Sequence, residues 1–292
     1  MDDMDSVEAR TVVVDGITMS ALYCEVARPR AVIVALHGGA TTARYFDIPG
    51  RPALSLLRMG AAMGYTVVAL DRPGYGASAL WGDVFDEPQR RVDASYDAID
   101  ALLDGRERGA GVFLAGHSAG CDLAVRMAAD DRSRALLGLE LAGTGVRKHP
   151  DAMRVIEQIH RTGKAGAIRA LLWEPDDLYP PELQSGRAIG SLTPRYEAAV
   201  AVDWPGDFPE LARRIGVDVR LTQAEHERVW RTDAAALAEI RGFFAAAPRV
   251  VVNHQRDSGH NISAGFGAAA YHRGLLSFVE ECALDPAESP AR

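Results

Sequence analysis

The chain has 292 residues, enough for one large domain with a sizeable core and room for a subdomain. Hydrophobic residues at 48% and charged residues at 25% are ordinary globular values. The net charge of −8 argues against a nucleic-acid partner, because no basic surplus is available to neutralise phosphates. No apolar run approaches the roughly 18 residues that a membrane-spanning helix needs. Met1-Asp2-Asp3-Met4-Asp5 is acidic and has no apolar core of a secretory signal. Three cysteines, Cys24, Cys121 and Cys282, are scattered and odd in number, which fits a reducing compartment better than a disulfide framework. A cytoplasmic protein without membrane or nucleic-acid partners is therefore expected. Its oligomeric state is left open, with a homodimer as one option.

Val7 to Val14 and Ile17 to Val26 read as strands joined by Asp15-Gly16, a pair that suits the positive φ of a tight hairpin turn. Ala31 to Leu36 is a short, wholly apolar run of the kind buried in a parallel sheet. It ends in His37-Gly38-Gly39-Ala40. Arg51 to Met63 has helical spacing, and Tyr65 to Leu70 is another buried strand, closing on the turn-rich Asp71-Arg72-Pro73-Gly74-Tyr75-Gly76. Glu87 to Leu103 is amphipathic, with Val92, Tyr96, Ile99 and Leu103 along one face. The apolar run through Ala115 is a strand, Cys121 to Ala129 a helix, and Arg134 to Leu141 the next strand. From Gly143 to about Ala212 the rhythm changes to helical stretches, loops and prolines. Strands resume at Val217 to Leu221 and at Arg249 to Asn253, separated by a helix with Ala235, Leu237, Ile240 and Phe244. Gly265 to Glu281 reads as a last helix and Asp285 to Arg292 as a frayed tail. Single apolar strands alternating with helices imply a mostly parallel sheet covered on both faces. The expected division is a core of residues 1–144 and 213–292, with 145–212 inserted as a helical cap or lid.

The stretch Gly116-His117-Ser118-Ala119-Gly120 lies where a strand turns at once into a helix. Such a bend strains the middle residue, and glycines two positions either side remove the side chains that would collide. Ser118 is then presented at the carboxyl end of the strand. A serine hydroxyl needs a base before it is a nucleophile at neutral pH. In an open α/β sheet that base must come from a loop at the same edge. His260 follows a glycine just after the last strand and is favoured, while His254 is nearer the strand body and suits a packed or hydrogen-bonded role. The base in turn needs an acid to hold its tautomer. Glu225 and Glu227 lie on the segment leaving the strand that ends at Leu221, and the greater reach favours Glu227 with Glu225 as the alternative. Glu140 is a third option, although it falls inside a strand.

A tetrahedral intermediate places negative charge on an oxygen, which preorganised donors must meet. The backbone N–H groups of Ala119 and Gly39 are the expected oxyanion hole. His37 reads as a hydrogen-bonder of its own loop. Tyr45, His117, Trp173 and Trp204 are candidate substrate-lining residues, each with ordinary packing as its alternative. Cys121, at the start of a helix, suits a small packing role. His226, His254, His260, Glu225 and Glu227 show no zinc-ligand spacing, so neither a metal nor another cofactor is expected.

Taken together, these landmarks resemble the α/β-hydrolase family. The strand followed by His37-Gly38-Gly39, then Asp71-Arg72-Pro73-Gly74-Tyr75-Gly76, Gly116-x-Ser118-x-Gly120, Ala224-Glu225-His226-Glu227 and Ser258-Gly259-His260-Asn261 stand in that family's order, over about residues 30 to 285. The resemblance implies an eight-stranded, mostly parallel sheet with helices on both faces and a helical lid inserted after the sixth strand. It also implies a Ser118–acid–His260 triad, with Glu227 at the position where family members often carry aspartate. The function then implied is a serine hydrolase acting on a small-molecule ester, thioester or related acyl substrate. The same site with water excluded would be an acyltransferase or cyclising thioesterase, and the fold also admits a lyase or ligand-binding use.

Overall fold

The computed structural model describes residues 6–162, 166–184 and 188–284. Its centre is one eight-stranded sheet in the order β1-β2-β4-β3-β5-β6-β7-β8. The strands are β1 (Glu8–Val14), β2 (Ile17–Cys24), β3 (Val32–Leu36), β4 (Thr66–Leu70), β5 (Val112–His117), β6 (Leu136–Ala142), β7 (Asp218–His226) and β8 (Val250–Gly259). β1 and β2 form the expected antiparallel hairpin, with Asp15 and Gly16 both at positive φ. β2 adds antiparallel to β4, and the pairings from β4 through β8 are parallel.

The apolar runs are continuous because both faces of the sheet are covered. In β3, Val32, Val34 and Leu36 enter one core while Ile33 and Ala35 enter the other. β5 divides the same way, Leu114 to one side and Phe113 to the other. The first core is closed by α2 (Pro88–Leu102), α3 (Gly120–Ala128) and α8 (Ala234–Phe243), which contribute Ile99, Leu123 and Ile240. The second is closed by α1 (Leu56–Ala62) and α9 (Ala268–Ala283), with Leu57, Leu275 and Val279.

Between β6 and β7 the chain runs through α4 (Pro150–Thr162), α5 (Gly166–Trp173), α6 (Pro181–Gln184) and α7 (Tyr196–Ala212). α7 buries Tyr196, Trp204, Phe208 and Ala212, an i, i+4 row on one face. Trp204 and Phe208 stack at 4.4 Å, and Phe208 packs edge-on against Phe243 and Phe244 of the α8 region. Pro205 and Pro209 lie inside this helix.

Two strands run further than their apolar stretches suggest. β7 continues from Leu221 through Thr222, Gln223, Ala224 and Glu225 to His226. Thr222 and Gln223 are buried there: Gln223 Nε2 donates to the Thr144 carbonyl at 2.7 Å, and the Thr222 carbonyl accepts from Gly143 N–H at 2.9 Å. β8 similarly extends to Gly259 as the outermost strand. Glu225 is therefore a strand residue, and Glu227 is the first residue beyond the strand. The expected tail from Asp285 lies outside the described residues. Among those described, no helix is long and apolar enough to cross a membrane.

Candidate active site

β5 ends at His117, α3 begins at Gly120, and Ser118 between them has φ of +50°. This is the left-handed region, costly for a residue with a Cβ. The flanking glycines have a visible cause. A Cβ at Gly120 would stand 2.2 Å from the Leu36 carbonyl oxygen, and one at Gly116 would stand 3.0 Å from Ala124 Cβ and Cys121 Cα. The bend is fixed by Ser118 N–H donating to Ala142 O and Cys121 N–H donating to Ser118 O, each at 2.9 Å. Cys121 itself is buried and its thiol pKa is raised well above the ordinary value by burial, so it is a packing residue.

Three distant segments meet at this bend. Ser118 Oγ lies 2.9 Å from His260 Nε2. On the other side of the ring, His260 Nδ1 lies 2.8 Å from Glu227 Oε2 and 3.0 Å from Oε1. His260 and Glu227 are buried. Glu227 Oε1 also accepts from the Val229 amide at 2.7 Å and the Trp230 amide at 3.3 Å. Burial pushes the Glu227 carboxyl up, but the facing His260 and these donors outweigh it and hold its pKa below the ordinary value. A carboxylate on Nδ1 fixes the tautomer that leaves Nε2 free to accept the serine proton.

The rival acids are engaged elsewhere. Glu225 is exposed and accepts from the Asp257 amide at 2.8 Å. Glu140 is fully buried, taking hydrogen bonds from Arg220 at 3.0 Å and Tyr271 at 3.2 Å. His254 is neither packed nor buried; it is exposed on β8, the edge strand.

The loop after β3 supplies the second half of the site. His37 Nδ1–H donates to Gly38 O at 2.8 Å, and its Nε2 accepts from Arg72 N–H at 3.1 Å, which locks the loop against the turn after β4. Asp71 braces the same turn by accepting from Ala43 N–H at 2.7 Å and Ser20 Oγ at 2.6 Å. The backbone amides of Gly39 and Ala119 have no intramolecular acceptor among the described residues. Ala119 also precedes α3, whose N-terminal partial charge favours an anion there. A Cβ on Gly39 would come within 2.8 Å of Glu197 Oε2 and would push against the carboxylate that pairs with Arg72.

Glu197 belongs to the first turn of α7 and forms a buried ion pair with Arg72. Arg72 Nη2 also donates to Gly38 O at 3.2 Å. Neither residue was singled out for a role by the sequence. Arg72 stood in a recognised turn, whereas nothing local in the sequence around Glu197 marks its partner.

A cavity of about 150 Å³ adjoins Ser118 and Ala119, walled by Thr144, Val200, Trp204 and Trp230. Trp204 thus faces the serine, with its indole N–H held by Gly145 O at 3.0 Å. An open cleft of about 710 Å³ borders Gly39 and Trp173. Tyr45 and His117 line neither space. Tyr45 is fully buried, accepts from Ser263 N–H at 3.1 Å and stacks on His117 at 4.4 Å. His117 Nε2–H donates to the His260 carbonyl at 2.9 Å, and burial together with the His260 charge pushes its pKa down to about 3. His117 thus supports the backbone of His260 from behind, and Tyr45 packs on His117. Among the described residues, no group of three or more His, Cys, Asp or Glu side chains is arranged to hold a metal ion.

This sheet, carrying a strained serine between two glycines and within reach of a histidine, is the framework of an α/β hydrolase. The chain belongs to the alpha/beta hydrolase family, whose profile matches residues 33–280. In fold it is similar to a highly thermostable carboxyl esterase from Bacillus coagulans solved with glycerol, at 14% identity and TM-score 0.67, covering 96% of this chain and 99% of the esterase. It is also similar to a thioesterase domain from the curacin biosynthetic pathway, at 16% identity and TM-score 0.62, covering 94% and 99%. A third similar structure is E-2-(acetamidomethylene)succinate hydrolase, at 18% identity and TM-score 0.65, covering 94% and 100%. Among curated protein sequences no relative matches.

Proposed function

We propose that this protein is a serine hydrolase that cleaves a small ester, thioester or related acyl compound through an acyl-Ser118 intermediate. The observation that carries the reading is the continuous relay from Ser118 Oγ through both nitrogens of His260 to Glu227. His260 Nε2 takes the Ser118 proton as Oγ attacks the carbonyl carbon. The oxyanion that forms is met by the N–H groups of Gly39 and Ala119. Collapse expels the leaving group, which receives the proton from His260. His260 then deprotonates a water that attacks the acyl-enzyme, and the carboxylic acid departs with Ser118 restored. Glu227 holds the imidazolium throughout and stays ionised. Residues 145–212 act as the cap over this chemistry, and the protein works in the cytoplasm on a small-molecule substrate. The esterase and thioesterase among similar folds are consistent with acyl chemistry.

Labelling with a fluorophosphonate probe, followed by peptide mapping, tests the reading. Ser118 is the expected adduct, and Ser118→Ala is expected to lose both label and turnover across a panel of esters and thioesters. An unlabelled Ser118 with turnover intact would defeat it. A second reading, transfer of the acyl group to an alcohol or amine, is favoured by the apolar walls beside Ser118. Turnover with a competing acceptor that yields free acid alone counts against it.

A further inference from the structure

The cavity beside Ser118 has mainly apolar walls, yet three charged side chains reach it: Asp122, Glu197 and Lys148. The two carboxylates already have counter-charges. Asp122 accepts from Arg126 Nε at 2.8 Å and faces Arg91 at 4.0 Å, while Glu197 is paired with Arg72. Lys148 has no such partner. Among the described residues its ammonium makes no hydrogen bond or ion pair, and it rests 3.3 Å from the centroid of the Trp230 ring. The carboxylate that influences it is Glu227, which is committed to His260.

The position is built rather than incidental. Residues 147–149 pair antiparallel with 229–231: His149 N–H donates to Val229 O at 3.0 Å and Arg231 N–H to Arg147 O at 2.8 Å. This ribbon continues directly from Glu227, so the ammonium and the triad share one frame. Burial lowers the Lys148 amine to about 8, leaving it charged at neutral pH but poorly solvated. Lys148 and Lys164 are the two lysines among 32 basic residues, so a compact ammonium here departs from a chain that otherwise uses guanidinium.

We propose that Lys148 recognises a carboxylate on the acyl group of the substrate, so that the preferred acyl class is a short ω-carboxyacyl group, such as succinyl or glutaryl, rather than a plain alkanoyl chain. The inference rests on the acyl-Ser118 reading and names the substrate class of that site. A cavity of about 150 Å³ holds a group roughly the size of benzene. That admits a chain of this length within a space that Ser118 and Lys148 both line. Lys148 is half-buried and its ammonium partly desolvated, so an incoming carboxylate gains a charge-assisted hydrogen bond at a reduced desolvation cost. A neutral chain of equal length leaves the charge unpaired, which is the basis of discrimination.

The test compares two esters on the full chain: the 4-nitrophenyl monoester of glutaric acid and its ω-carboxamide counterpart, equal in shape and neutral. Wild type is expected to favour the acid in kcat/KM by about tenfold or more. Lys148→Met is expected to abolish that preference, and Lys148→Arg to restore part of it. Absence of preference in wild type overturns the proposal, and that measurement needs no variant to fold. Retention of the preference in Lys148→Met also overturns it. So does an equal loss on both esters with the ratio intact, which would assign Lys148 to the triad through Glu227. Fluorophosphonate labelling of Ser118 and turnover of the neutral ester separate the two levels. If both are missing, the acyl-Ser118 reading fails; if both are present without acid preference, only the ω-carboxyacyl assignment fails.

Discussion

Arg72 and Glu197 form a buried ion pair that joins the turn after β4 to the first turn of α7. The two side chains are 4% and 10% exposed. Arg72 also holds the Gly38 carbonyl, so α7, between β6 and β7, is tied through one guanidinium to the loop that carries Gly39. Tyr196 adds a second tie by donating its hydroxyl to Pro73 O at 2.6 Å.

A buried arginine cannot shed its charge, so removing its partner is expensive. Glu197→Leu is expected to destabilise the protein by about 3 kcal/mol or more, and Arg72→Met/Glu197→Leu to recover a large part of that loss. A double-mutant cycle by urea denaturation measures the coupling. Simple additivity would show that the pair does not fasten α7 to the core.

Glu227→Gln keeps the shape of the side chain but can present an N–H to His260 Nδ1. The ring then adopts the tautomer that cannot accept the serine proton. Loss of about 10³- to 10⁴-fold in kcat is expected. Glu225→Gln should change it by less than about threefold, because that carboxylate faces the Asp257 amide in solvent. Comparable losses in the two variants would remove Glu227 from its assigned position.

Acid should unfold this protein early. His117 and His272 have pKa values pushed down to about 3 by burial, and burial with Arg72 holds His37 well below its ordinary value. Above about pH 6.5 both folded and unfolded states carry these rings neutral, and no penalty arises. As pH falls below that, the unfolded chain takes up protons that the folded one refuses. Each ring then costs about 1.4 kcal/mol per pH unit until its folded pKa is reached. Glu227 adds to the loss below its ordinary carboxylate range, since its folded pKa is lowered and its stabilisation is present only above that range. Urea midpoints between pH 7 and 5 should drop steeply, and His272→Leu should reduce the slope by about a third. A flat profile would mean that these rings are protonated in the native state.

Trp204 forms one wall of the cavity beside Ser118. Trp204→Ala should cost about 3–5 kcal/mol in stability and shift the preferred acyl group to a longer chain. The readout is kcat/KM across a series of esters of increasing acyl length. An unmoved optimum would place the acyl group in the cleft beside Gly39 instead.

Much of the frame was legible because burial on both faces leaves a plain trace. The runs of β3 and β4 are almost wholly apolar, and their alternation with helices makes a mostly parallel sheet legible, whereas the strand order comes from the structure. Ser118 and His260 could be marked because steric need forces glycine beside them. The extension of β7 leaves no apolar trace, since Thr222 and Gln223 are polar and are held in the sheet by contacts with Gly143 and Thr144, far from them in sequence. For the same reason Glu225 seemed to lie on a loop. Tyr45 and His117 read as lining residues from the sequence, yet the structure stacks the two rings on each other, with His117 holding the His260 carbonyl. The ion pair of Arg72 with Glu197 spans 125 positions, and no local pattern couples residues so far apart. Lys148 leaves only a weak trace in the sequence, its rarity in an arginine-using chain.

The positive φ at Ser118 means that a hydroxymethyl side chain occupies a place where glycine would sit more comfortably. Ser118→Gly should therefore yield a protein more heat-resistant by on the order of 1 kcal/mol and wholly inert. On the proposed mechanism, thermal endurance and turnover pull in opposite directions at this one position, so a laboratory selection for heat tolerance alone would discard the proposed nucleophile.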